Sequence, residues 1–92
     1  MKDSTLSILN DNYMLATLLY LKNNRPAIKT ELYNNVSRSY SMNKKLDRLQ
    51  EIGLLTTYFS KDGCEIFVVL TDKGEKVARY IEDLIDTVER DD

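Results

Sequence analysis

Between residues 22 and 48 the chain carries seven cations, Lys22, Arg25, Lys29, Arg38, Lys44, Lys45 and Arg48, against only Glu31 and Asp47, a local balance of +5. From Thr71 to Asp92 four cations (Lys73, Lys76, Arg79, Arg90) face eight anions (Asp72, Glu75, Glu82, Asp83, Asp86, Glu89, Asp91, Asp92), a balance of -4. Clustered lysine and arginine neutralise phosphates, and hydroxyls such as those of Ser39, Tyr40 and Ser41 donate to phosphate oxygens or base edges. A net charge of -2 and a pI near 5.1 are not the footprint of a nucleic-acid binder. The asymmetry permits one phosphate-facing side and one side held away from it. Other chemistry finds little material. With no histidine and a single thiol, Cys64, there is no metal-ligand set and no internal disulfide. The chain also lacks a glycine-rich phosphate loop, a serine in a nucleophile elbow and carboxylates paired in an obvious cleft. Neither an enzyme nor a cofactor is expected.

The elements that must hold these side chains are legible in the apolar spacing. Met42, Leu46, Leu49 and Ile52 recur at four, three and three residues, one face of a helix stopped by Gly53. That face must be buried, which turns Tyr40, Ser41, Lys44, Asp47 and Arg48 outward, with Lys45 on the flank. Ser37 or Ser39 is the expected cap of this helix, over about residues 38–52, and its first-turn amides suit a phosphate. Upstream, Ile28, Leu32 and Val36 define a shorter helix capped by Thr30 and ended near Asn34 and Asn35. Two helices joined by a tight polar turn, the second exposing cations and hydroxyls, are the ingredients of a helix-turn-helix reading a DNA major groove.

The flanking chain supplies the frame. Residues 1–9 carry weak signals, compatible with an arm or a frayed turn. Asn10 or Asp11 can cap a helix running to about Asn23, with Met14, Leu18 and Leu21 on one line and Leu15 and Leu19 beside it. Arg25-Pro26 ends that helix and introduces a short extended segment. After Gly53 the period changes to two. Leu54 to Phe59 and Glu65 to Leu70 read as strands of a hairpin about Asp62-Gly63, a two-residue type I′ turn that pairs Leu55 with Leu70, Thr57 with Val68 and Phe59 with Ile66. That face should cover the helices, and the opposite one carries a partly exposed Tyr58 and Phe67 pair. Asp72 and Glu75 have capping-box spacing, which sets the start of a last helix near Thr71 or Asp72. Its Val77, Ile81, Leu84 and Val88, with Ile85 alongside, form a seam too long for a small domain to cover, so a second copy is the expected partner.

Helix, short strand, helix, helix, two-stranded wing and one further helix is the order of a winged helix domain. The run KTELYNNVSRSYSMNKKLDRLQEIGLL resembles the helix-turn-helix of small winged-helix transcription regulators, and LTDKGEKVARYI resembles their wing-to-last-helix junction. The resemblance covers roughly residues 10 to 90 and is nearest to short archaeal winged-helix proteins that dimerise through a C-terminal helix, some regulatory and some chromatin-associated. It implies an α+β winged helix-turn-helix in residues 10–70, a dimerisation helix in 71–90 and one domain over 1–92. By the same resemblance Ser39, Tyr40, Ser41, Lys44, Lys45 and Arg48 fall on the recognition helix, and Lys61 at the wing tip. With Arg38 these are the candidate DNA contacts. The expected partners are double-stranded DNA and a second copy through Val77, Ile81, Leu84, Ile85 and Val88. An architectural chromatin protein or a winged helix used for protein interaction is the alternative. No apolar run reaches the roughly 18 residues of a membrane span, and the N-terminal residues lack the apolar core of a signal peptide, so a cytoplasmic location is expected.

Overall fold

A computed structural model describes residues 3–36 and 41–90. Its elements are α1 (Asp3–Leu9), α2 (Met14–Asn23), β1 (Ala27–Ile28), α3 (Lys29–Asn35), α4 (Ser41–Glu51), β2 (Leu55–Phe59), β3 (Ile66–Leu70) and α5 (Asp72–Glu89). The order is the expected one, with α1 added where the sequence signals are weak. The helix anticipated from Asn10 or Asp11 instead starts at Met14, after an elbow in which Tyr13 takes a left-handed conformation (φ 63°). Asp11 is therefore no cap; its side chain turns toward α4.

The extended segment after Pro26 becomes a third strand. β1 pairs antiparallel with β3 through Ala27↔Val68 and Ile28↔Phe67, giving a sheet of order β1-β3-β2. It widens the β2–β3 hairpin to three strands, and packing against the helices supports the same sheet. The predicted register of that hairpin is observed, from Leu55↔Leu70 through Thr57↔Val68 to Phe59↔Ile66. The turn differs from expectation. Gly63 N–H donates to Ser60 C=O at 2.9 Å, so the tight turn is centred on Lys61 and Asp62, and Gly63 alone in the loop has positive φ (73°). A type I′ turn needs positive φ at both central residues. The loop is a longer one, tied by Asp62 Oδ1, which accepts the Cys64 N–H at 3.0 Å and a bond from Ser60 Oγ. The serine hydroxyl, and then the Cys64 amide, hold the Asp62 carboxyl below its ordinary range.

The core sits where α2, α3, α4, the sheet base and the first half of α5 converge. Met14, Leu18 and Leu21 of α2, Leu32 of α3 and Met42, Leu46 and Leu49 of α4 are buried against Leu55, Val68, Leu70, Ala78 and Ile81. Each large apolar side chain so buried is worth about 1.5–3 kcal/mol against leaving it in water. The hairpin face is covered only at its base. Phe59 is 70% exposed, because the wing extends past the helices before its last apolar pair.

Candidate nucleic-acid interface

α4 is fixed at both ends of its buried face. At its C-terminus Leu54 N–H bonds Leu49 C=O (2.9 Å) and Gly53 N–H bonds Gln50 C=O (3.0 Å), with Gly53 at φ 81°. This is the glycine-terminated cap that returns the chain into a strand. Two further carbonyls are taken by the start of α5: Thr71 Oγ1 donates to Gly53 C=O at 2.6 Å, and Lys73 Nζ to Ile52 C=O at 3.0 Å. Thr71, not Asp72, is the cap of α5, since its hydroxyl accepts the Gly74 N–H at 3.1 Å. Gly74 allows the closeness, for a Cβ there would stand 1.8 Å from the Leu54 carbonyl oxygen.

α3 is held against α2 by side chains. Tyr20 donates its hydroxyl proton to Glu31 Oε2 (2.9 Å) and accepts from Asn35 Nδ2 (3.1 Å). The Glu31 carboxylate raises the Tyr20 hydroxyl above its usual value. Glu31 also accepts the Ile28 N–H at 3.2 Å. The helix thus begins at Lys29, with Ile28 rather than Thr30 in the capping position.

The outward face of α4 consists of Asn43, Lys44, Asp47, Arg48, Gln50 and Glu51, all exposed. Lys44 and Arg48 stand one turn apart on it, as expected. Ser41 is the first residue of α4. Arg38, Ser39 and Tyr40, and the anticipated caps Ser37 and Ser39, lie outside the described residues. Lys45 requires correction. It is 3% exposed, with its ammonium 3.4 Å from Asp11 Oδ2. Three residues after Met42 and four before Leu49, it falls inside the apolar arc of the helix. A phosphate cannot reach it there; it holds α4 to the α1–α2 elbow. The same oxygen lies 3.8 Å from Arg48 Nη1.

The local excess of cations is smaller in space than along the chain. Lys22 pairs with Glu82 at 3.0 Å and Arg25 with Glu75, so acids of α5 neutralise two of the seven cations. Among the described residues Lys44 and Arg48 are the exposed cations carried by α4 itself, and Lys61 is exposed at the wing tip beside Asp62 and Glu65. Sequence reasoning passed over Asn43 and Gln50, whose amides both donate and accept in the pattern that pairs with adenine. Their exposure follows from the helical period that placed Lys44.

Along α5 the seam divides. Ile81 is 6% exposed and Val77 is half-buried, both held by their own domain, so Ile81 is core rather than a surface waiting for a partner. Leu84, Ile85 and Val88 are uncovered, at 56%, 38% and 76% exposure. Leu84 and Tyr80 face Leu6, Leu9 and Leu15 across an apolar groove of about 450 Å³ between α1, α2 and α5. Tyr58 and Phe67 stack on the outer sheet face, 5.2 Å between centroids and 23° between planes. Among the described residues no helix is long and apolar enough to cross a membrane.

No protein-family model matches the chain, and no curated protein matches it by sequence. Solved structures do match it in shape. A protein from Archaeoglobus fulgidus superimposes with TM-score 0.78 at 21% identity, over 95% of this chain and 99% of that one. A transcriptional regulator homologue from Pyrococcus horikoshii gives 0.71 at 20%, over 91% and 90%. A MarR-like transcription regulator from Bacillus cereus gives 0.76 at 18%, over 92% of this chain and 63% of its own length. The fold is a winged helix-turn-helix with a C-terminal helix, the architecture that the solved transcription regulators among these structures also have.

Proposed function

We propose that this chain binds double-stranded DNA sequence-specifically as a dimeric transcription regulator, with α4 in the major groove. The observation that carries the reading is the division of α4: Met42, Leu46 and Leu49 lock one face into the core, while Asn43, Lys44 and Arg48 stand in solvent on the other. Lys44 and Arg48 meet phosphates, Asn43 and Gln50 are offered to base edges, and Lys61 reaches the backbone beside the wing. Arg38, Ser39, Tyr40 and Ser41 complete the proposed set of DNA contacts, and the N-terminal amides of a helix also bind phosphate. The likeness to solved transcription regulators supports the assignment.

Dimerisation completes it. Leu84, Ile85 and Val88 continue the apolar groove bounded by Leu6, Leu15 and Tyr80, a surface that a second copy would cover. Two-fold pairing sets two recognition helices roughly 34 Å apart and calls for an inverted repeat.

Footprinting across genomic fragments tests the function. Discrete protected sites are expected, with affinity falling steeply as salt rises, and Lys44→Ala and Arg48→Ala each flattening the log-log salt slope by about one unit. Uniform coverage would make the protein architectural. Absence of salt-dependent duplex binding would leave a protein-interaction module.

A further inference from the structure

The elbow between α1 and α2 places a carboxylate against the recognition helix from 34 residues away in sequence. Backbone bonds from Asn10 N to Leu6 C=O (2.8 Å), Asp11 N to Ile8 C=O (3.2 Å) and Met14 N to Asp11 C=O (3.2 Å) fix the elbow. Asp11 Oδ1 accepts the Asn12 N–H at 2.9 Å, which orients the carboxylate. Its other oxygen lies between two cations one turn apart on α4, 3.4 Å from Lys45 Nζ and 3.8 Å from Arg48 Nη1. Both separations exceed the 2.7–2.9 Å of a tight charge-assisted bond. With Arg48 and Asp11 each in partial contact with water, the hold on Arg48 is weak and exchangeable.

A single anionic oxygen stands against two α4 cations, the buried Lys45 and the exposed Arg48, and so partly neutralises the one of the pair that a DNA phosphate can meet. We propose that Asp11 is an internal counter-charge that sets the affinity of α4 for nucleic-acid phosphate through Arg48. This rests on α4 being the DNA-contacting face. With the carboxylate in place, a phosphate approaching Arg48 meets a guanidinium already partly neutralised and a like charge within about 4 Å. In an aqueous setting such a charge changes affinity by roughly three- to tenfold. Asp11 is thus a positioning and affinity-limiting residue, not a DNA contact.

The sign of the effect separates this role from a purely structural one. A strut for Lys45 would, when removed, lower stability and DNA affinity together. A counter-charge would, when removed, lower stability or leave it unchanged while affinity rises. The experiment is a double-mutant cycle on the full chain, with thermal melting and duplex titration of wild type, Asp11→Asn, Arg48→Gln and the double variant at two salt concentrations. Asp11→Asn is expected to bind duplex roughly three- to tenfold more tightly at low salt. The gain should shrink at high salt and vanish in the Arg48→Gln background, and Asp11→Glu should behave as wild type. If Asp11→Asn does not fold, Asp11→Ser, which keeps an oxygen for the Asn12 amide, carries the same expectation. A folded Asp11 variant that binds no more tightly, or a gain that survives without Arg48, overturns the inference while wild-type binding keeps the DNA reading intact. Loss of salt-dependent binding in every protein, wild type included, overturns both.

Discussion

At Gly74 the substitution of one hydrogen by a methyl group would bring a carbon to 1.8 Å from the Leu54 oxygen and 2.8 Å from its carbonyl carbon. Both atoms are backbone, so no rotamer relieves the contact, and Gly74→Ala should cost about 3 kcal/mol or more in denaturant unfolding. An alanine variant melting like wild type would show that α5 does not sit so close. Nothing in the residue pattern marks this glycine's role, because the segment at Leu54 that leads into β2 approaches from outside the helix's own period. Lys45 is the opposite case. Its burial is implicit in the three- and four-residue spacing to Met42 and Leu49, yet its charge argues for the surface; packing of the stem and the Asp11 carboxylate decide the matter. Lys45→Ala is therefore expected to lower stability by about 1–2 kcal/mol, while Lys44→Ala should stay within about 0.5 kcal/mol of wild type. Equal melting temperatures for the two variants would contradict the burial.

Among the elements, the wing shows how register and turn type are specified separately. Alternating residues on both strands define which side chains face one another, and that pairing is observed from Leu55↔Leu70 to Phe59↔Ile66. The dipeptide Asp62-Gly63 suggests a two-residue turn, but the side chains of Ser60 and Asp62 favour a longer loop by satisfying the Glu65 and Cys64 amides. Gly63 retains its requirement in either case, since its φ is 73° and open space surrounds the missing Cβ. Gly63→Val should thus destabilise by roughly 1 kcal/mol or more through backbone strain alone. Unchanged thermal stability would place the positive φ elsewhere in the loop. The helices of the core were legible because Met14, Leu18 and Leu21, and Met42, Leu46 and Leu49, keep the 3.6-residue period. The cap at Tyr13 was not, for no capping side chain marks it.

For the whole molecule the decisive feature is α5, half inside the domain and half outside it. Ile81 belongs to the core, whereas Leu84 and Val88 are uncovered, a boundary that depends on how far α2 extends alongside and so is invisible in the apolar period. Replacing Leu84 and Val88 together with lysine should give monomers by sedimentation and a large loss of affinity for a two-half-site duplex, because the second half-site no longer contributes. A double variant that stays dimeric would move the interface elsewhere. The clasp at the other end of this helix has a mechanical consequence. Thr71, Lys73 and Gly74 fasten the start of α5 to Ile52, Gly53 and Leu54 just after α4, so in the proposed pairing the two helices would act as one bent lever. Its long arm of 18 residues measures about 27 Å. If two such arms crossed near Ile85, about 20 Å from the clasp, a tilt of about 10° would carry each α4 roughly 3.5 Å along the duplex, about the rise of one base step. The angle between the two arms, and not any contact made by the reading side chains, would then select the number of base pairs between half-sites.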